Sequence, residues 1–468
     1  MIRAPELESV QAEYVVTAIG FICILSAPLW VYGLFFPFTA GLEEMIGTKS
    51  DLTIAIGVLV LVLAAQVPLI QFVSAGDRFI SQVLLVGFLY KLAAISAFMF
   101  MAFRVYEGTA DTLHYFGEGR RIANEYSLTG SWTLPEPLWG SNSIIVFTGI
   151  LIDRIGPSIQ GLMIIFATIS FWGQYLLFRA FCIVFPQGQH KVAALLLFFL
   201  PSIAFWSAPL GKDAIVFFFI GACCYGFAKL PISMGPMALA IILVSLGGVL
   251  LVRPHVAALL AISFGGAYLL SRNRIGLLGI AAKMIGIPLL LFATVYLIAQ
   301  ARSFVDLADI GQTASVLRRV GKSNQFGGSV FGSSFELRLL AAPFLLFRPF
   351  PWEVRSMPSV IAGIEAGGLV VLFWRRRAFL RTSLLTSRQN SFALFSWIYA
   401  LLFSIVFAGA ITNFGTLVRQ RVMLLPLALM LAVGQPPAKL NPRIPPLLGQ
   451  IGPYRKDSSL LINLPQTQ

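Results

Sequence analysis

The sequence predicts an all-α polytopic membrane protein with about twelve transmembrane helices and interfacial helices in two large outer loops. Of its 468 residues, 57% are hydrophobic and only 12% charged, whereas a soluble domain carries about 25% charged residues. Too little polar sequence remains to coat a globule in water. The apolar residues also fall in blocks such as 52–75, 79–103 and 278–298 rather than at amphipathic spacing. Each block holds about 20 residues, enough at about 1.5 Å per residue to cross a hydrocarbon core of about 30 Å. Inside lipid every backbone amide needs a partner within its own segment or barrel, so blocks of this length are helices.

Residues 1–103 contain three expected spans, near 14–36, 52–75 and 79–103. The polar start, 1–13, carries acidic residues and the apolar block after it is long enough to span, so it reads as an anchor rather than a cleaved signal peptide. Residues 104–158 form a first extracytoplasmic loop with a surface helix over 112–126, whose apolar face is Leu113, Phe116, Ile122 and Ala123, and with Gly130 beyond its end. The stretch 143–152 is apolar but too short to span and is expected to lie flat on the outer face. Residues 159–300 form a six-helix region with spans near 159–183, 192–209, 212–229, 236–252, 254–270 and 278–299.

A second outer loop, 301–356, holds Gly327, Gly328, Ser329 and Gly332, then an interfacial or re-entrant helix over 337–347. Loops longer than about 15 residues in a compact protein are more often functional than decorative. The C-terminal spans lie near 357–374, 391–410 and 418–434, and a proline-rich cytoplasmic tail follows over 435–468.

The net charge of +14 is dispersed, and its densest cluster (Arg375, Arg376, Arg377, Arg381, Arg388) lies between two apolar blocks. A cytoplasmic loop obeying the positive-inside rule accounts for that cluster, and nucleic acid is not implied. Alternation then places both termini and 271–274 inside. Cys23, Cys182, Cys223 and Cys224 all sit within apolar blocks without metal-ligand spacing and read as inert thiols. His114, His190 and His255 are far apart in sequence and suggest no metal set.

Candidate chemistry gathers at the outer helix ends. Glu107, Asp111, His114 and Tyr115 open the first outer loop. Asp111 has two readings, a cap on the helix that follows or a general base at a lipid boundary. Lys212 and Asp213 lie at the outer start of a span, either as a self-neutralising pair or as a site. Arg253 and His255, then Arg318 and Arg319, Arg348, and finally Arg419 and Arg421 also fall outside. So many outward arginines run against the positive-inside pattern, which points to an anion there. Phosphate suits a guanidinium by bidentate geometry.

The order of these elements resembles the GT-C superfamily of polyprenyl-phosphate-sugar-dependent glycosyltransferases. The likeness covers roughly residues 100–434: an outer loop with Asp111 and Tyr115, then Pro137-Leu138-Trp139, an interfacial segment, the apolar helix holding Phe171 to Phe185, the Leu200-Pro201 helix end, Lys212-Asp213, and Arg419-Gln420-Arg421 running into Leu424-Leu425-Pro426. The resemblance implies a GT-C-like fold and a bacterial inner-membrane enzyme whose site faces the periplasm. It implies sugar transfer, with inversion, from a polyprenyl-phosphate donor to a glycan, lipid or protein acceptor. Asp111 would be the catalytic base, with Asp213 and Glu107 next in line. Arg419 and Arg421 would lie near the lipid phosphate, with Lys212, Arg253, His255, Arg318, Arg319 and Arg348 as further donor contacts and His114 and Tyr115 orienting the acceptor. No cofactor is implied beyond a divalent metal, which a lone Asp111 leaves open.

Two other classes fit parts of the pattern. An O-antigen-type polymerase would rely on Arg318, Arg319 and Arg338 in the second loop. A flippase for a lipid-linked sugar would need ionisable residues at mid-membrane, where Lys91, Lys283 and Glu365 are too few for a polar pathway.

Overall fold

A computed structural model describes residues 49–104, 110–233, 236–271, 342–353, 357–411 and 413–434, together with Pro288 and Val295. These residues form helices joined by turns and short loops, with no strand among them. The expected spans at 14–36 and, apart from those two positions, 278–299, and most of the expected second outer loop, 301–356, lie outside them.

Two long apolar helices open the described chain, α1 (Lys49–Val73) and α2 (Arg78–Arg104). The segment expected to form the first outer loop folds into α3 (Asp111–Thr129) and α4 (Ser141–Ile155). Gly130 closes α3 in the left-handed conformation at φ 67°, the geometry glycine adopts without a Cβ clash. The buried face of α3 includes Ile122 and Ala123, as its apolar pattern predicts, and α4 packs against it. At 15 residues α4 is too short to span.

Next come α5 (Ile159–Val184), α6 (His190–Phe199), α7 (Pro201–Trp206), α8 (Lys212–Ser233), α9 (Pro236–Val252) and α10 (Pro254–Leu270). After two 3-10 turns, Ala342–Phe347 and Pro351–Glu353, the chain continues as α11 (Met357–Arg375), α12 (Arg377–Leu385), α13 (Ser391–Ala410), α14 (Phe414–Arg421) and α15 (Leu425–Val433).

Five described helices are long and apolar enough to cross a membrane: α1, α2, α5, α8 and α13; the bent pair α14–α15 would make a sixth. Large hydrophobic residues such as Leu61, Phe72, Met237, Val244 and Leu401 point outward, as befits faces solvated by lipid. The core is aromatic, with Phe166, Phe171, Phe181, Phe198, Phe217, Phe395 and Phe403 fully buried. The chain is therefore a helical membrane protein.

Two expected spans are broken. The stretch 192–209 bends at Leu200, because Pro201 has no N–H for the carbonyl four residues before it. The stretch 418–434 bends by 56° between α14 and α15. Pro426, in the first turn of α15, follows that break. Buried polar side chains service the first break. Gln174 Nε2 donates to the Leu197 carbonyl at 3.0 Å, the group that Pro201 orphans. Glu365 Oε2 accepts from the free Ser202 amide at 2.7 Å.

The bundle has two distinct ends. At one, Ser158 Oγ donates to the Asp51 carbonyl at 2.9 Å, and the Gly140 amide donates to Leu251 O at 2.8 Å. At the other, the Gln189 amide reaches Val433 O at 3.4 Å and Phe227 stacks on Phe392 with centroids 6.0 Å apart. The basic segment 375–388 precedes Phe392 and belongs to this second end. The starts of α3, α8 and α10 belong to the first.

Candidate functional site

At the first end, four side chains far apart in sequence form a continuous ion chain. Asp213 stands in the first turn of α8, where the partial positive charge of a helix start favours a carboxylate. Arg253 occupies the turn between α9 and α10, with Pro254 opening the next helix. Arg419 comes from α14, whose start is fixed by Asn413 Oδ1 accepting from the Gly415 amide at 2.7 Å. Asp111 opens α3.

Arg253 Nη2 donates to Asp213 Oδ1 at 2.5 Å, and Arg419 Nε donates to Asp213 Oδ2 at 2.5 Å. Arg419 Nη1 then reaches Asp111 Oδ2 at 2.8 Å. At the inner end Arg253 Nη1 donates to Gln420 Oε1. Side-chain exposure rises along the chain, from 7% at Arg253 and 9% at Asp213 to 26% at Arg419 and 55% at Asp111. The Arg253 Nε is buried and has no hydrogen-bond acceptor among the described residues.

Lys212 lies within electrostatic reach of Asp111, Asp213, Arg253 and Arg419. Three cations against two carboxylates leave the cluster one positive charge in excess. An anion entering at the exposed end would balance it, and arginine with lysine is the donor set that phosphate oxygens accept from.

Asp111 does not cap its helix. Ala110 is the cap residue and no side-chain bond closes that end, so the carboxylate is free to face Arg419. Behind it Thr112 Oγ1 donates to Leu210 O at 2.8 Å, tying α3 to the segment before Lys212. Tyr115 is buried beside Gly211, and burial, reinforced by the Asp111 charge, pushes its phenol above the ordinary value. His114 is exposed, its ring 6.0 Å from that of Tyr115.

Other expected site residues lie elsewhere. Arg421 is fully buried, donating to Glu365 Oε1 at 2.7 Å and to Arg348 O at 2.7 Å, so a phosphate has no access to it at the ion chain. Arg348 pairs with Glu353 and lies over the Phe414 ring at 5.3 Å. His255, by contrast, borders the ion chain: it is exposed two residues after Arg253, within electrostatic reach of Arg253 and Lys212, with its ring 5.8 Å from Phe407. Glu107, Arg318 and Arg319 lie outside the described residues, as does Arg338.

Among the described residues no three His, Cys, Asp or Glu side chains group to hold a metal. Asp111 and Asp213 are each engaged by guanidinium groups, so these two carboxylates do not fit a divalent ion in this arrangement.

Two participants escaped the sequence pattern. Gln420 carries no charge and stood out only through its arginine neighbours. Glu365 had a signal, as the clearest acidic residue inside an expected span, where a charge needs a partner.

No family model, no curated protein and no solved structure matches the chain.

Proposed function

We propose that this protein is a membrane glycosyltransferase that takes a sugar from a polyprenyl-phosphate donor and passes it to an acceptor hydroxyl. The ion chain from Arg253 to Asp111 supports this reading. It sets an exposed carboxylate beside a cluster with excess positive charge at the end of a lipid-facing bundle. In the proposed reaction the donor phosphate is held by Arg419 and Lys212. Asp111, released from Arg419, accepts the acceptor's hydroxyl proton. The acceptor oxygen bonds to the anomeric carbon from the face opposite the phosphate, and the carbon–oxygen bond to phosphate breaks with its electron pair leaving on the phosphate.

The same proposal includes a GT-C-like architecture of about twelve spans, residence in a bacterial inner membrane and a site facing the periplasm. The acceptor is a glycan, lipid or protein. The deciding experiment uses purified, monodisperse protein and a panel of polyprenyl-phosphate sugars. Asp111→Asn keeps an acceptor for Arg419 but loses the proton affinity, so turnover should fall by about 10²- to 10⁴-fold with the fold intact. Near-normal transfer by the variant would remove Asp111 from the role of base.

A further inference from the structure

The residues that build the site are carried by short segments, and such segments need fixing from behind. Helix α7 has six residues, and the segment after it, 207–211, delivers Lys212 and Asp213. Both ends of α7 are held by buried ionisable side chains from other helices. At its start, Glu365 of α11 accepts the Ser202 amide at 2.7 Å through Oε2 and the Ser202 hydroxyl at 2.6 Å through Oε1. At its finish, Lys91 of α2 donates to Ser207 Oγ at 2.7 Å and to Gln174 Oε1 at 3.1 Å. Ser207 also donates to Ile203 O at 2.5 Å, and its own carbonyl accepts from Ser170 Oγ at 2.5 Å.

Lys91 and Glu365 are both essentially inaccessible, and no carboxylate is paired with Lys91 among the described residues. Such placement is costly within a membrane and persists where it has a use. Glu365 also holds Arg421, two residues beyond Arg419. Three consecutive side chains of α14 therefore make three different attachments: Arg419 to Asp213 and Asp111, Gln420 to Arg253, and Arg421 to Glu365.

We propose that Lys91 and Glu365 are positioning residues, which grip the two ends of α7 and so set Asp213 and Arg419 at the spacing an incoming phosphate requires. The grip follows from the contacts alone; its purpose rests on the phosphate-donor reading above. Without Glu365 the first turn of α7 and the end of α14 lose a shared anchor. Without Lys91 the 207–211 segment loses its Ser207 bond to α2 and keeps the Ser170 bond to α5.

The test uses full-length protein in lipid nanodiscs, with hydrogen exchange to read the backbone and decaprenyl phosphate as the ligand, its binding followed by phosphorus NMR. In Glu365→Gln and Lys91→Met, amide exchange over 207–213 and 413–421 should quicken by about tenfold or more while the middle of α5 is unchanged. Affinity for decaprenyl phosphate should fall by a similar factor, the expected scale for a lost bond to a charged group. Glu365→Asp, which keeps the carboxylate, should recover most of both.

Should Glu365→Gln and Lys91→Met fail to fold, Ser202→Ala and Ser207→Ala each delete one hydroxyl and leave Glu365 and Lys91 with other partners. Their exchange should rise in the same two segments by a smaller factor. Exchange that is unchanged there, or that rises equally throughout α5, overturns the positioning role. If the wild type does not bind decaprenyl phosphate, the phosphate reading falls, and the exchange pattern decides the positioning role by itself.

Discussion

Arg419 and Arg421 are two residues apart, yet substituting them should have opposite consequences. Arg421 is fully enclosed with Glu365, and deleting one partner of a buried pair leaves a charge stranded, at a cost of about 3–5 kcal/mol. Arg421→Met should therefore lower the melting temperature in detergent sharply, and a melt indistinguishable from wild type would contradict the buried pairing. Arg419 is partly exposed and ends at the half-exposed Asp111. Arg419→Ala should melt almost normally while its affinity for a polyprenyl phosphate drops roughly tenfold or more, the range for hydrogen bonds to charged groups. Equal phosphate binding by wild type and Arg419→Ala, measured by the same titration, would take Arg419 out of the binding site. From sequence the two arginines look alike, because both follow an apolar helix. What separates them is a carboxylate 56 residues upstream for one and 206 upstream for the other, and no local pattern reports pairings of that range.

Between elements, α5 and α8 approach each other backbone to backbone. A Cβ added at Gly173 would lie 2.6 Å from the Phe218 Cα, so only glycine lets these backbones approach so nearly. Gly173→Ala should force the helices apart and cost about 1–3 kcal/mol as an overpacking change, visible as a lower melting temperature. No loss would mean that the two helices pack less tightly than the structure shows. The apolar blocks made most of these helices legible in the sequence, and 236–252 and 254–270 agree to the residue with α9 and α10. The breaks were less legible. Pro201 carries the standard signal for a bend, yet the hydrophobic run across it reads as continuous from 192 to 209. The side chains that make the bend tolerable, Gln174 and Glu365, come from distant helices. Charged residues at helix ends made Asp111, Asp213, Arg253 and Arg419 visible as candidates. Their joining into one chain depends on how α3, α8, α10 and α14 converge, which is a tertiary property.

At the scale of the whole molecule, the ion chain and the basic segment 375–388 occupy opposite ends of the bundle. Cysteine at Ser131, exposed after α3, and at Thr382, exposed on α12, should differ in reactivity toward an impermeant thiol reagent. In whole spheroplasts the Ser131→Cys protein should label and the Thr382→Cys protein should not; labelling of both from one side would contradict a bundle that crosses the membrane. The graded exposure of the ion chain has one more consequence, in its response to ionic strength. Added salt screens charges in contact with water over a Debye length of about 8 Å at 0.15 M, and shields buried pairs far less. The link between Arg419 and Asp111 therefore faces the electrolyte, whereas that between Arg253 and Asp213 is sheltered from it. Raising the salt concentration should loosen the chain from its outer end inward, so that the carboxylate nearest the water is the first to be released.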